Sequence, residues 1–130
     1  MAKMFVPRAR KAVVGGLGAG LLPAALAQRG VEVLVLEIDS AVRAVASEYF
    51  GFPPEIKVEM GDGRVLLSEL EGNQDLIILD VYSGDVSPFQ LLTREAFVLA
   101  KAKLSPQGAL MVNLLGTLEG DSARVPIAVG

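Results

Sequence analysis

The chain contains no cysteine, no histidine and no tryptophan. Without cysteine there is neither a disulfide framework nor a thiolate metal site. Without histidine, Ser-His-Asp and Cys-His catalysis and every histidine-ligated metal are excluded. General-base chemistry therefore falls to Asp, Glu, Lys or Tyr, and no resident metal is expected. No apolar run approaches the roughly 18 residues of a membrane span, and the N-terminus lacks a cationic segment followed by an apolar core and a cleavage site. The expectation is a cytoplasmic protein that does not engage a membrane. A net charge of −3 gives no electrostatic footprint for a nucleic-acid backbone. Lys3, Arg8, Arg10 and Lys11 form the one basic cluster, and read as a solvated lead-in to the first strand.

What is present is apolar. Hydrophobic residues make up 52% of 130 residues, enough for one modest domain and too little chain for two. The domain is taken as 1–130, with a lead-in over 1–11 and an irregular tail over 116–130. Short runs rich in Val, Ile and Leu occur at Ala12–Val14, Val31–Leu36, Lys57–Met60, Leu76–Leu79 and Ala109–Leu115. Continuous runs of this kind mark strands buried on both faces of a parallel sheet.

Helical patterns separate most of the runs. Leu21–Gln28 is the first, with Pro23 tolerated in the opening turn. A second starts at Asp39 or Ser40 and places Ala41, Val42, Val45, Ala46 and Tyr49 on one stripe, expected to face the sheet. Arg64–Leu70 is short, and Thr93 caps a helix through Leu104. Ser105-Pro106-Gln107-Gly108 is expected to turn the chain into the last strand. Beyond Leu115 there is too little sequence for another strand-helix-strand unit, so Ala109–Leu115 is expected to present an apolar edge that pairs with a second copy or is covered by Val125–Val129.

The first run breaks into Gly15-Gly16-Leu17-Gly18-Ala19-Gly20, and the second closes on Glu37. Glycines allow a sharp turn and close approach to a ligand, and the following helix aims free N–H groups at it. A carboxylate about 20 residues on can accept hydrogen bonds from ribose hydroxyls. Glycine-rich turns also occur for structural reasons alone; the placing of Glu37 favours a nucleoside.

Six motifs stand in an order that resembles the spermidine synthase-like branch of the class I S-adenosylmethionine-dependent methyltransferase fold. They are Gly16–Gly20, Leu36-Glu37-Ile38-Asp39, Tyr49-Phe50-Gly51, Gly61-Asp62-Gly63-Arg64, Asp75–Asp80 and Leu104–Gly108. The resemblance implies an α/β three-layer sandwich with a parallel Rossmann-like sheet ordered 3-2-1-4-5, truncated at its C-terminal side relative to the complete fold. It implies S-adenosylmethionine, or its decarboxylated form, as cofactor. Gly16, Gly18 and Gly20 would pass under its methionyl-ribose part, Glu37 would hold the ribose, and Asp62 with Gly63 would meet the adenine. Asp80 would be the catalytic carboxylate, orienting a nucleophile and receiving its proton. Asp80 also fits a turn cap on its own. Tyr82 and Asp85 are candidates for binding the acceptor, with loop and packing roles equally open, and Asp39 reads as a helix cap.

The chain departs from the polyamine-making members in three places. Gly18 stands where they carry an aspartate that grips the cofactor amine, Ala24 where they carry a glutamate, and Asp80-Val81-Tyr82-Ser83-Gly84-Asp85 where they carry an Asp-Ser-Ser-Asp-Pro-like loop. Val14 replaces the usual methyltransferase carboxylate. Because Gly18 cannot anchor the cofactor amine, methyl transfer is slightly favoured over aminopropyl transfer, to a small-molecule or unknown acceptor. Two alternatives remain: a non-catalytic nucleoside-binding or self-associating domain, and an NAD-dependent oxidoreductase.

Overall fold

The structure is a computed structural model and describes residues 8–80 and 91–113. Among these residues the chain forms β1 (Lys11–Gly15), α1 (Leu21–Gln28), β2 (Glu32–Glu37), α2 (Ser40–Phe50), β3 (Lys57–Met60), α3 (Gly63–Glu69), β4 (Gln74–Leu79), α4 (Arg94–Lys103) and β5 (Leu104–Val112). All strand pairs are parallel, in the order β3-β2-β1-β4-β5. That order places the reversal of the sheet between β1 and β4, where ligands bind in doubly wound folds.

Side chains alternate across the sheet, so the apolar runs supply two cores. Ala12, Val14, Val33, Val35, Leu76 and Ile78 face α1 and α2, and Leu26, Ala46, Phe52 and Ile56 close that side. Val13, Leu36, Ile77 and Leu79 face α3 and α4, where Leu67 and Ala100 are fully buried. Helices on both faces make this a three-layer sandwich.

Of the four described helices, α2, α3 and α4 start at a side-chain cap, whereas α1 follows Gly20, which supplies none. Asp39 Oδ1 accepts from the Ala41 N–H at 2.8 Å, and Thr93 Oγ1 accepts from the Ala96 N–H at 3.1 Å. Gly51, left-handed at φ 61°, ends α2.

Two expectations are corrected. The α2 stripe does not face the sheet as a whole. Ala46 is buried and Val42 half-buried against the core, while Ala41, Val45 and Tyr49 are exposed. At 100° per residue, Ala41 and Val45 lie at one edge of the arc, and a short helix over the sheet margin buries only its centre.

The Ser105–Gly108 turn lies inside β5, not before it. Gln74 is opposite Leu104 and Leu76 is opposite Ala109, so two steps along β4 answer five along β5 and the excess bulges outward. Pro106 is tolerated because β5 is an edge strand. Gly108 is required because a β-carbon there would lie 2.7 Å from the Gln74 carbonyl oxygen. Leu114, Leu115 and Val125–Val129 lie outside the described residues.

The two edges differ. β3 has four residues and carries Lys57 and Glu59, paired at 2.8 Å, whereas β5 has nine residues and no charge. Charge and brevity blunt the first edge.

Candidate functional site

The carboxyl ends of the strands carry Met60, Glu37, Gly15 and Leu79 on β3, β2, β1 and β4 respectively. Adjacent strands lie about 4.8 Å apart, so the next residues of each form one rim. The Gly16 N–H continues the ladder to the Leu36 carbonyl at 2.8 Å, and the Asp80 N–H continues it to the Gly15 carbonyl at 2.8 Å. Thus the glycine turn, Glu37 and Asp80 emerge together at the point where the sheet order reverses.

Gly16, Gly18 and Gly20 all have positive φ, at 99°, 54° and 79°. Their requirements differ. A β-carbon on Gly20 would collide with the Phe52 ring, so this glycine lets α1 pack against the chain leaving α2. A β-carbon on Gly18 would meet nothing within 4 Å among the described residues. Gly18 therefore lies on the exposed side of the loop, where the described residues leave room for a ligand.

Glu37 is the buried carboxylate of the rim, 9% exposed. Its Oε2 accepts from the Leu17 N–H at 2.8 Å and its Oε1 from the Asp39 N–H at 3.0 Å. One bond pins the carboxylate to the glycine turn and the other to the start of α2. A carboxylate has about four acceptor positions, so each oxygen keeps capacity for a hydroxyl donor.

Asp62 is brought beside Glu37 by the backbone, since the Gly61 N–H donates to the Glu37 carbonyl at 2.9 Å. It also caps α3: Oδ1 accepts from the Arg64 and Val65 N–H groups at 2.9 and 3.1 Å. Its Oδ2 takes no donor among the described residues. Gly63 opens α3, and a β-carbon there would lie 3.0 Å from Leu91 Cδ1.

Asp80 is half-buried, and its Oδ1 accepts from Asn113 Nδ2 at 2.8 Å. Asn113 was not singled out from the sequence; the signal was a polar residue ending an apolar strand next to another. Asp39 is a helix cap, as expected. Tyr82 and Asp85 lie outside the described residues. Among the described residues, no group of three or more Asp or Glu could hold a metal, and no helix is long and apolar enough to cross a membrane.

A cavity of about 600 Å³ opens elsewhere, between the amino ends of the strands and α3, lined by Lys11, Val31, Glu32, Ile56 and Gln74 among others. It shares no residue with the rim described above.

No protein-family model matches the chain. It is 36% identical over 121 residues to the polyamine aminopropyltransferase of Vibrio vulnificus, covering 88% of this chain and 40% of that protein. It is 31% identical over 130 residues to the N-terminal histidine N-methyltransferase of Emericella nidulans, covering 94% of this chain and 23% of that protein. Human methyltransferase-like protein 13, solved with S-adenosylhomocysteine, aligns with a TM-score of 0.68 at 24% identity over 83% of this chain and 55% of that one. The chain thus spans less than half the length of the curated relatives it matches. Relatives and structural neighbours together are spermidine synthases and S-adenosylmethionine-dependent methyltransferases, which matches the branch that the motif order resembles.

Proposed function

We propose that this chain carries the S-adenosyl-nucleoside site and the catalytic carboxylate of a spermidine synthase-like group transferase, with methyl transfer favoured over aminopropyl transfer. The carrying observation is the buried Glu37 carboxylate tied to the Leu17 N–H, which holds a carboxylate and a glycine turn against each other beside the sheet's reversal point. The cofactor fits here: Gly18 opens onto free space and the Glu37 oxygens keep acceptor capacity for ribose hydroxyls.

In this reading Gly16, Gly18 and Gly20 pass beneath the methionyl and ribose groups, Glu37 holds the ribose, and Asp62 offers Oδ2 to the adenine amino group beside Gly63. When bound, the cofactor supplies a carbon made electrophilic by its sulfonium. Asp80 orients the acceptor's lone pair toward that carbon and takes the proton that the acceptor gives up. Its charge also favours a cationic neighbourhood. Tyr82 and Asp85 belong to the acceptor side.

The preference for methyl transfer rests on Gly18. With no carboxylate in the loop, nothing there selects a cofactor that presents a free amine without its carboxylate. The acceptor is a small molecule, and the location cytoplasmic, on the sequence grounds above.

Calorimetric titration with S-adenosylmethionine, its decarboxylated form, S-adenosylhomocysteine and NAD tests the reading. S-adenosyl compounds should bind, without preference for the decarboxylated form. Tighter binding of NAD overturns the assignment in favour of an oxidoreductase.

The long uncharged edge of β5 supports a second element: association of two copies edge to edge. Sedimentation at micromolar concentration should then show a dimer, and a monomer throughout removes this element.

A further inference from the structure

Asn113 stands immediately after β5, as Asp80 stands immediately after β4. Leu79 is opposite Val112 in the parallel register, so Asp80 and Asn113 are the next pair. Side chains of paired residues in a parallel sheet project to the same face. Both backbones are held by the extended ladder: the Asp80 N–H donates to Gly15 at 2.8 Å, and the Asn113 N–H donates to Leu79 at 3.0 Å. Nδ2 of Asn113 then reaches Oδ1 of Asp80 at 2.8 Å.

From this geometry we propose that Asn113 is the positioning residue for Asp80, selecting one orientation of its carboxylate so that Oδ2 faces the acceptor. The inference rests on the transferase reading above and adds a residue to it.

The chemistry of the donor matters. A carboxylate on a strand end turns about two side-chain torsions, and a proton acceptor must be held close to its productive geometry to act. A neutral amide can hold one oxygen without adding a cation. A lysine at this position would also hold Oδ1, but its charge would repel a cationic acceptor and compete for the carboxylate. In the transfer step the acceptor nitrogen forms its bond to carbon as the carbon–sulfur bond breaks, the electron pair leaves with sulfur as a neutral thioether, and the nitrogen's proton passes to Oδ2. Oδ1 remains bonded to Asn113 throughout.

Three variants of the full chain test this, with putrescine as the amine and S-adenosylmethionine or its decarboxylated form as donor. Asn113→Ala should lower kcat at least tenfold and leave the affinity for S-adenosylhomocysteine, read by calorimetry, unchanged. Asn113→Gln, which retains the amide donor, should recover part of that loss. Asn113→Asp sets two carboxylates at hydrogen-bond distance and should move the acid limb of the pH–rate profile to higher pH. Independently of activity, the Asn113 side-chain amide resonances should shift in Asp80→Ala.

Unchanged kcat in Asn113→Ala, or amide resonances indifferent to Asp80→Ala, overturns the inference alone. Binding of S-adenosylhomocysteine without transfer by the unmodified chain overturns it too, and leaves the nucleoside site standing. Failure of S-adenosylhomocysteine to bind overturns the reading beneath it.

Discussion

At the amino end of the sheet Asp75 accepts three hydrogen bonds: Oδ2 from the Arg10 and Lys11 N–H groups at 2.8 and 3.1 Å, and Oδ1 from the Ser105 hydroxyl at 3.1 Å. At the carboxyl end Asp62 and Asp80 each use Oδ1 alone, and Oδ2 takes no donor among the described residues. The contrast separates scaffold from site. Asp75 ties the starts of β1, β4 and β5 together, and three of its roughly four acceptor positions go to that; lysine does related work nearby, Lys103 Nζ donating to the carbonyls of Ser68 and Leu70 at 2.9 and 2.7 Å. Asp62 and Asp80 are anchored too, by two hydrogen bonds and one, yet each keeps an oxygen that meets no donor among the described residues. Anchoring with capacity in reserve is what a preorganised binding site requires.

The comparison breaks most decisively at Asp80. Asp80→Asn keeps the shape but cannot take a proton, so transfer should fall by about 10²–10⁴-fold, the usual scale of general-base catalysis, while the affinity for S-adenosylhomocysteine stays unchanged. Steady-state kinetics beside calorimetry reads both. Transfer that survives returns Asp80 to the scaffold class, with Asp75.

Glu37 falls in both classes, because it is the proposed ribose-binding group and also satisfies the Leu17 and Asp39 N–H groups. Glu37→Ala should weaken S-adenosylhomocysteine by about 1.5–3 kcal/mol, the scale of hydrogen bonds to a charged group. Chemical denaturation should show a stability loss as well, because the Leu17 N–H lies in buried surroundings. A stability loss with full affinity would make Glu37 scaffold only.

Within the glycine turn the same division recurs between neighbours. Gly20→Ala forces a methyl into the Phe52 ring and should cost about 1–3 kcal/mol of stability, the usual penalty for overpacking. Gly18→Ala meets no atom of the described residues and should cost about 1 kcal/mol, from left-handed strain, yet it should disturb ligand binding more than stability. Equal stability losses would erase the distinction.

The smallest effect is expected at Asp75. The Arg10 N–H foremost, with Lys11 and Ser105, holds its carboxyl below the ordinary carboxylate range. A depressed folded-state value means that the stabilisation is fully present above the unfolded value of about 3.9 and is lost as pH falls through the folded one. Asp75→Asn should therefore lower stability at neutral pH by about 1 kcal/mol, with the difference from the unmodified chain shrinking toward acid and no change in S-adenosylhomocysteine affinity. A variant that unfolds identically at neutral and acid pH would deny Asp75 its structural role.

Much of this was legible in order along the chain. The apolar runs marked β1, β2 and β4 because strands buried on both faces must be nearly continuously hydrophobic, and the shorter or half-exposed runs of β3 and β5 became the edges of the described sheet; Asp39 and Thr93 announced their helices because a free oxygen there satisfies N–H groups that nothing local can. Gly16, Gly18, Gly20 and Glu37 stood out because positive φ and a strand-closing carboxylate leave a mark in residue type. The misread segments are those whose fate depends on a neighbour. Ser105–Gly108 has turn composition, but β4 beside it draws the segment into pairing and converts the turn into a bulge. Val45 and Tyr49 fit an amphipathic stripe, but the width of sheet beneath α2 decides how much of a stripe is buried.

The sequence by itself determined the α/β class, the glycine turn with its answering carboxylate, and the absence of any histidine or cysteine chemistry, because each follows from residue type and spacing. Only the tertiary structure decided which carboxylates have both oxygens engaged and which use one, and that Asn113 is the partner of Asp80. Those facts depend on the lateral order of parallel strands: residues 33 positions apart become neighbours when β4 and β5 align, and no local periodicity carries that information.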